Sequence, residues 1–201
     1  QQGKWERSKF IGVELRGKTL GILGLGRIGT GVAKRAVAME MEVVAYDPFI
    51  SAGHAKALGL ELAELDEVIR RADFITLHLP LTNDTKNLIN RESLATMKDG
   101  VRIINCARGG TIDEEALAEA LQSGKVAGAA IDVFAKEPVD PTNPLVGLPN
   151  VVLTPHLGAS TAEAQVGVAV DVAYGVLSAL DGEPVTTAVN MAPIPAHVMQ
   201  V

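Results

Sequence analysis

The chain has 201 residues, room for one large domain. Hydrophobic residues make up 47% and charged residues 21%, so a sizeable core can be buried. The formal net charge of −6, without a basic stripe or interleaved aromatics, argues against a nucleic-acid partner.

In chain order, Gln1 to Lys9 is polar and charged, so no signal peptide is read there. Thr19 to Leu23 reads as a strand. Arg27 to Ala38 reads as a helix with Ile28, Val32, Ala36 and Val37 on one face. Glu42 to Tyr46 is a second strand. Ser51 to Ala57 and Asp66 to Ala72 read as short helices. Phe74 to Leu77, Val101 to Asn105, Val126 to Ile131 and Val151 to Leu153 are further strands. Asp113 caps a helix that runs to Ser123 and is stopped by Gly124. Ser160 and Glu163 have the spacing of a capping box, opening a long helix to Leu180. Such alternation predicts an α/β fold, a doubly wound parallel sheet with helices on both faces.

Other features narrow the setting. One cysteine, Cys106, excludes an internal disulfide framework. No Cys/His cluster has zinc spacing, so no metal is expected. No apolar run reaches the roughly 18–20 residues of a membrane span, and Val166 to Leu180 is interrupted by Asp171. A reducing cytoplasm, without membrane association, is the expectation.

Gly24-Leu-Gly26-Arg-Ile-Gly29 follows a predicted strand and opens a predicted helix, the context a dinucleotide-binding turn requires. Gly24 permits the tight turn, Gly26 leaves room for a pyrophosphate, and Gly29 allows close helix–strand packing. The helix N-terminus offers unpaired N–H groups to phosphates. Asp47 lies about 20 residues beyond the glycines, where a carboxylate accepts a ribose 2′-OH. It would repel a 2′-phosphate, so NAD is favoured over NADP. A Rossmann-like sheet holding NAD is the expectation.

Arg108, Glu137 and His156 each follow the end of a later strand, the edge where open parallel sheets bind ligands. Their types suit oxidation of a 2-hydroxy acid. Histidine serves as acid and base near neutral pH. A carboxylate partner fixes its tautomer, and arginine grips a substrate carboxylate in a two-pronged fork. Each alone is more often a structural or solvated residue; the set of three on this fold is what points to chemistry.

The chain resembles the D-isomer-specific 2-hydroxyacid dehydrogenases over nearly its whole length. The resemblance is carried by Gly3-Lys-Trp-Glu-Arg, the glycine motif, His78-Leu-Pro-Leu-Thr82, Asn105-Cys-Ala-Arg-Gly-Gly110 and Ile131-Asp-Val-Phe134. Lys136-Glu-Pro138 and Pro155-His-Leu-Gly-Ala-Ser-Thr161, continuing to Gln165, add to it. It implies hydride transfer from a phosphorylated 2-hydroxy acid to NAD, in amino-acid biosynthesis. It also implies that His156 takes the hydroxyl proton, Glu137 supports His156, and Arg108 holds the carboxylate. Asp132 would meet the nicotinamide carboxamide, Arg27 and Ile28 the pyrophosphate, and Asp47 the adenosine ribose. Leu79, Cys106, Ala107, Gly158 and Ala159 would line the cofactor, with Cys106 no nucleophile. Residues 1–17 would lead in from a substrate-binding lobe, 18–190 form the NAD-binding domain, and 191–201 lead onward. The chain is thus read as a fragment with little or no turnover of its own. A homo-oligomer through this domain is implied, with Trp5 and Phe10 as candidate contacts or simply cover for the core. Three alternatives remain open: another hydroxyacid dehydrogenase or reductase of the family, a non-enzymatic NAD-sensing scaffold on the same fold, and a structural Rossmann-like module with no ligand.

Overall fold

Residues 11–185, 187 and 188 are described in the structure, a computed structural model. Trp5, Phe10 and the stretch 191–201 lie outside the described residues. The chain divides into two compact units, Gln1–His156 and Leu157–Val201.

The first unit is built on strands β1 (Thr19–Leu23), β2 (Glu42–Tyr46), β3 (Glu61–Leu62), β4 (Phe74–Leu77), β5 (Val101–Asn105), β6 (Val126–Ile131) and β7 (Val151–Leu153). They form one sheet of order β3-β2-β1-β4-β5-β6-β7. Each pairing is parallel. β1 is buried at every position, as a strand covered on both faces must be.

Helices lie between the strands: α1 (Arg27–Ala38), α2 (Ala52–Ala57), α3 (Leu65–Arg71), α4 (Arg91–Thr96) and α5 (Glu114–Gln122). Two separate apolar clusters result. Ala33 and Ala36 of α1 and Ala55 of α2 share one with Leu20, Ile22 and Ala45. Val68, Ile69, Leu94, Leu117 and Leu121 share the other with Ile75 and Ile103. Alternate strand residues point to opposite faces, so two clusters mean that both faces are covered.

The chain builds from β1 through β2 to β3, then crosses back to place β4 on the other side of β1. Connections that leave β1 and β4 in opposite directions open a crevice at the carboxyl edge of the sheet. Register pairs Leu23 with Leu77. Gly24 and His78 therefore leave the sheet side by side.

Six strands and α1 have the predicted bounds. Asp113 caps α5, its carboxylate accepting the N–H of Glu115 and of Ala116, both at 3.1 Å. Ser51 is the cap of α2 rather than its first residue, and α3 lies one residue earlier than predicted. β3 and α4 were not predicted. β3 has two residues, too few for any alternation. α4 has six residues and is held by a reciprocal cap between Asn90 and Ser93.

The second unit contains α6 (Ala162–Leu180). Its cap corrects the sequence reading. Thr161, not Ser160, is the last extended residue, and its hydroxyl accepts the Ala164 N–H at 3.1 Å. Glu163 is then too early to close a box. The apolar stretch is also longer than Val166 to Leu180. α6 has 19 residues and, by length and composition, suffices to cross a bilayer. Val166, Val168, Val170, Val172, Tyr174 and Val176 are all exposed. Spaced by two on a helix, they fall on opposite sides, so α6 is apolar around its circumference. The same length and composition also describe a core helix of a globular protein.

Candidate active site

The loop between β1 and α1 is shaped by glycines for three distinct reasons. Gly24 has φ of +98°, and a Cβ there would lie 2.7 Å from the His78 carbonyl oxygen. A Cβ on Gly29 would lie 2.0 Å from the Gly24 carbonyl oxygen. Both clashes are with backbone, so neither position accepts a side chain. Gly26 differs: no atom lies within 4 Å of its would-be Cβ. The space before α1 is open, and Gly26 places no side-chain cap on the first turn. The N–H groups of that turn keep their capacity for an acceptor. Arg27 and Ile28, the first residues of α1, are exposed beside this space.

Asp47 follows β2 and ties two segments together. One carboxylate oxygen accepts the Leu25 N–H and the other the Phe49 N–H, both at 2.8 Å. The Gly24 N–H donates to the Tyr46 carbonyl at 2.8 Å. The acid is thereby fixed against the glycine loop. Each carboxylate oxygen can take a second hydrogen bond.

A cavity of about 270 Å3 opens beside the loop, lined by Ile28, His78, Leu79, Pro80, Cys106, Ala107 and Arg108. Burial pushes the His78 imidazole below its ordinary pKa. Its Nε2 lies 3.1 Å from the Thr76 hydroxyl. Cys106 is exposed as a residue, yet partial burial of the thiol pushes its pKa up, and the Asp132 charge adds to this. Such a cysteine stays a thiol at neutral pH and is a poor nucleophile.

Arg108 sits at the exposed tip of the loop after β5, donating to the Ala107 carbonyl at 2.6 Å. The loop owes its shape to two buried residues. The Asn105 amide donates to the Arg108 carbonyl and to the Thr111 hydroxyl, each at 3.1 Å. Asn105 Oδ1 accepts the Ala107 N–H at 3.1 Å. The Thr111 hydroxyl donates to the Arg108 carbonyl at 2.8 Å. A Cβ on Gly109 would lie 1.8 Å from the Phe134 carbonyl oxygen, so the loops after β5 and β6 meet backbone to backbone.

The loop after β6 supplies the acids. Asp132 is 3% exposed and accepts the Thr154 hydroxyl at 2.5 Å. The His156 N–H donates to the Asp132 carbonyl at 2.9 Å. Glu137 accepts the Phe134 N–H on Oε1 at 2.9 Å, and its Oε2 lies 2.8 Å from His156 Nδ1. His156 and then the Phe134 N–H hold the Glu137 carboxyl below the usual carboxylate range. His156 itself has φ of +56°, a conformation few non-glycine residues adopt. The Glu137 and Asp132 contacts hold it there, and such strain concentrates at working sites. Glu137 and His156 share a second cavity, of about 450 Å3, with Phe134, Pro138, Val139 and Pro155.

The structure thus pairs Glu137 with His156 and sets Arg108 in the neighbouring loop. Gly158 and Ala159 lie in the second unit, in the turn that leads into α6. Asn105, Gly109, Thr111 and Thr154 have positioning roles that sequence reasoning did not assign. Their signal is slight: a polar residue ending an apolar strand, and a small one in the turn after it. Among the described residues, no group of His, Cys, Asp and Glu is arranged to hold a metal ion.

Residues 1–158 match the family model described as D-isomer specific 2-hydroxyacid dehydrogenase, NAD binding domain. A D-3-phosphoglycerate dehydrogenase of Archaeoglobus fulgidus is 52% identical over 194 residues, covering 96% of this chain and 37% of that protein. One from Synechocystis is 54% identical over 200 residues, covering 100% of this chain and 36% of that protein. The chain therefore spans about a third of the length of these relatives. Among solved structures, D-lactate dehydrogenase with NAD+ from Lactobacillus jensenii superposes with a TM-score of 0.82 at 32% identity. That superposition covers 91% of this chain and 58% of the other. With a doubly wound parallel sheet, an open glycine turn under Asp47 and a family match over most of its length, the chain belongs to the D-isomer-specific 2-hydroxyacid dehydrogenases, as their NAD-binding domain.

Proposed function

We propose that this chain is the cofactor-binding and acid–base half of a D-3-phosphoglycerate dehydrogenase, oxidising 3-phosphoglycerate to 3-phosphohydroxypyruvate. The observation that carries the reading is the 2.8 Å pairing of His156 Nδ1 with Glu137 at the carboxyl edge of an NAD-binding sheet. The substrate comes from the relatives, which bear that name at 52–54% identity.

Bound NAD supplies the hydride acceptor for C2 of the substrate; the rest falls to the chain. With Nδ1 turned to Glu137, His156 presents Nε2 to the C2 hydroxyl and takes its proton. Glu137 stabilises the imidazolium that forms, and it is held for this by the Phe134 N–H. The carboxylate also fixes the tautomer, keeping Nε2 a proton acceptor beforehand. Arg108 grips the substrate carboxylate, its loop set by Asn105 and Thr111. Asp132, locked by Thr154, accepts from the nicotinamide carboxamide. Asp47 accepts from the adenosine ribose and repels a 2′-phosphate. Arg27, Ile28, Leu79, Cys106, Ala107, Gly158 and Ala159 complete the cofactor's surroundings in this reading.

The same reading puts residues 18–190 in the NAD-binding domain, 1–17 and 191–201 in its connections, the enzyme in the cytoplasm, and subunit association on this domain. Two measurements test it. Calorimetric titration of this chain is expected to give binding of NADH and little of NADPH. The full-length protein that carries the chain is expected to reduce NAD with D-3-phosphoglycerate in preference to D-lactate. The opposite preference replaces the substrate, and no turnover with either, despite NADH binding, favours an NAD-sensing scaffold.

A further inference from the structure

The amino edge of the sheet, where the strands begin, carries a concave site of its own. A cavity of about 220 Å3 is lined by Val13, Lys18, Asp73, Phe74, Lys98, Asp99, Gly100, Val101 and Arg102. Its lining is mostly polar, unlike the apolar hollow beside His156.

Charge here runs against that of the whole chain. Both carboxylates are engaged. Asp73 accepts the Thr19 N–H at 2.8 Å and Lys98 Nζ at 3.0 Å. Asp99 pairs with Lys125 at 2.7 Å. Arg102 forms no ion pair with a carboxylate among the described residues, and Lys18 acts on Asp73 only at longer range, helping Lys98 to hold its carboxyl below the usual carboxylate range. Three cations, Lys18, Lys98 and Arg102, thus line the cavity with two acids, one of which is paired outside it by Lys125, in a chain of net charge −6. Arg102 is also held in place. Its guanidinium lies 5.4 Å from the centre of the Phe74 ring, and one nitrogen donates to the Gly100 carbonyl at 3.3 Å. A guanidinium has five N–H donors in a rigid fork, so most remain for an acceptor. The adjoining Lys18 is half-buried, where its charge is screened less than on open surface.

We propose that this cavity binds a phosphate-sized oxyanion between Lys18 and Arg102, either inorganic phosphate or the phosphoryl group of a phosphomonoester. The occupant is not a reactant. β5 runs five residues from this edge to the edge that bears Arg108, roughly 16 Å at about 3.3 Å per residue. The site is independent of the dehydrogenase reading, and its occupancy ties the starts of β1 and β5 together.

The test is an amide NMR titration of the 15N-labelled chain with NADH present and ionic strength held constant with chloride. One arm adds inorganic phosphate and the other glycerol 2-phosphate. Saturable shifts are expected at Thr19, Gly100, Val101 and Arg102. Arg102→Gln and Lys18→Ala are each expected to weaken binding roughly tenfold, the usual loss on removing one charged partner of an anion. Lys56→Ala removes an equal charge outside the cavity and is expected to change nothing. Should Arg102→Gln not fold, Lys18→Ala, an exchange at a strand's approach, carries the comparison. Tighter binding of the ester assigns the site to phosphomonoesters, and equal or weaker binding assigns it to the free ion. Shifts that rise linearly at these amides, shifts confined to Gly26–Ile28, or equal weakening by Lys56→Ala overturn the proposal.

Discussion

Asp47 shows how much a single side chain settles at this site. Its carboxylate closes the glycine loop by accepting from Leu25 and keeps acceptor capacity for a ribose. Asp47→Ala is expected to weaken NADH binding by about tenfold, the worth of one charge-assisted hydrogen bond, read by calorimetry. Glu137 carries a pH signature. Its carboxyl is held below the ordinary range by His156 and the Phe134 N–H. A folded-state pKa below the unfolded value stabilises the fold above the unfolded value, about 4.3. That contribution is lost as pH falls through the lower folded-state value. Glu137→Gln is therefore expected to flatten the acid limb of the stability curve. Urea melts between pH 3 and 7 read this directly; an unaltered acid limb would remove Glu137 from the account. Gly109→Ala is the severe case. Its methyl would overlap the Phe134 carbonyl, with no flexible side chain to yield. A cost of about 3 kcal/mol or more is expected, or failure to fold.

At the scale of elements, α5 joins a good cap to a buried face. Asp113 accepts two N–H groups of its first turn, and Leu117 and Leu121 are buried against the sheet. Asp113→Ala is expected to cost about 1 kcal/mol. Leu117→Ala is expected to cost roughly 2–5 kcal/mol, since the site is fully enclosed. Chemical denaturation should rank them in that order. Sequence pattern located this helix because the cap, the apolar spacing and Gly124 agree. It passed over α4 because the reciprocal cap of Asn90 and Ser93 that starts this short helix was not read, and over β3 because two residues give no alternation. It set the cap of α6 one residue early: Ser160 and Thr161 are equally good caps by type, and only the backbone of Thr161 decides between them.

For the whole molecule, the sheet order places the open ends of β1 and β4 together, with the loops after β5, β6 and β7 following in sequence along one edge. A ligand bound by several of these loops stabilises the folded state alone. NADH at 100 times its dissociation constant is expected to add about 2.7 kcal/mol, seen as a rise in Tm. Asp47→Ala should shrink that rise at the same NADH concentration. An unchanged Tm with wild-type chain would remove the cofactor site from this edge.

Much was legible from the sequence by itself. Strands and the first helix follow from short-range periodicity and propensity, which depend on neighbours along the chain. The glycine turn and the positions of Asp47, Arg108, Glu137 and His156 after strand ends were legible because both show in the order of residues along the chain. Tertiary structure decided what depends on residues distant along the chain. It brought Glu137 onto His156 across 19 residues and Thr154 onto Asp132 across 22. It set Gly109 against the Phe134 backbone and Asp99 against Lys125. Such contacts have no period and no local propensity. They arise only when parallel strands come into register and carry their loops to a shared edge.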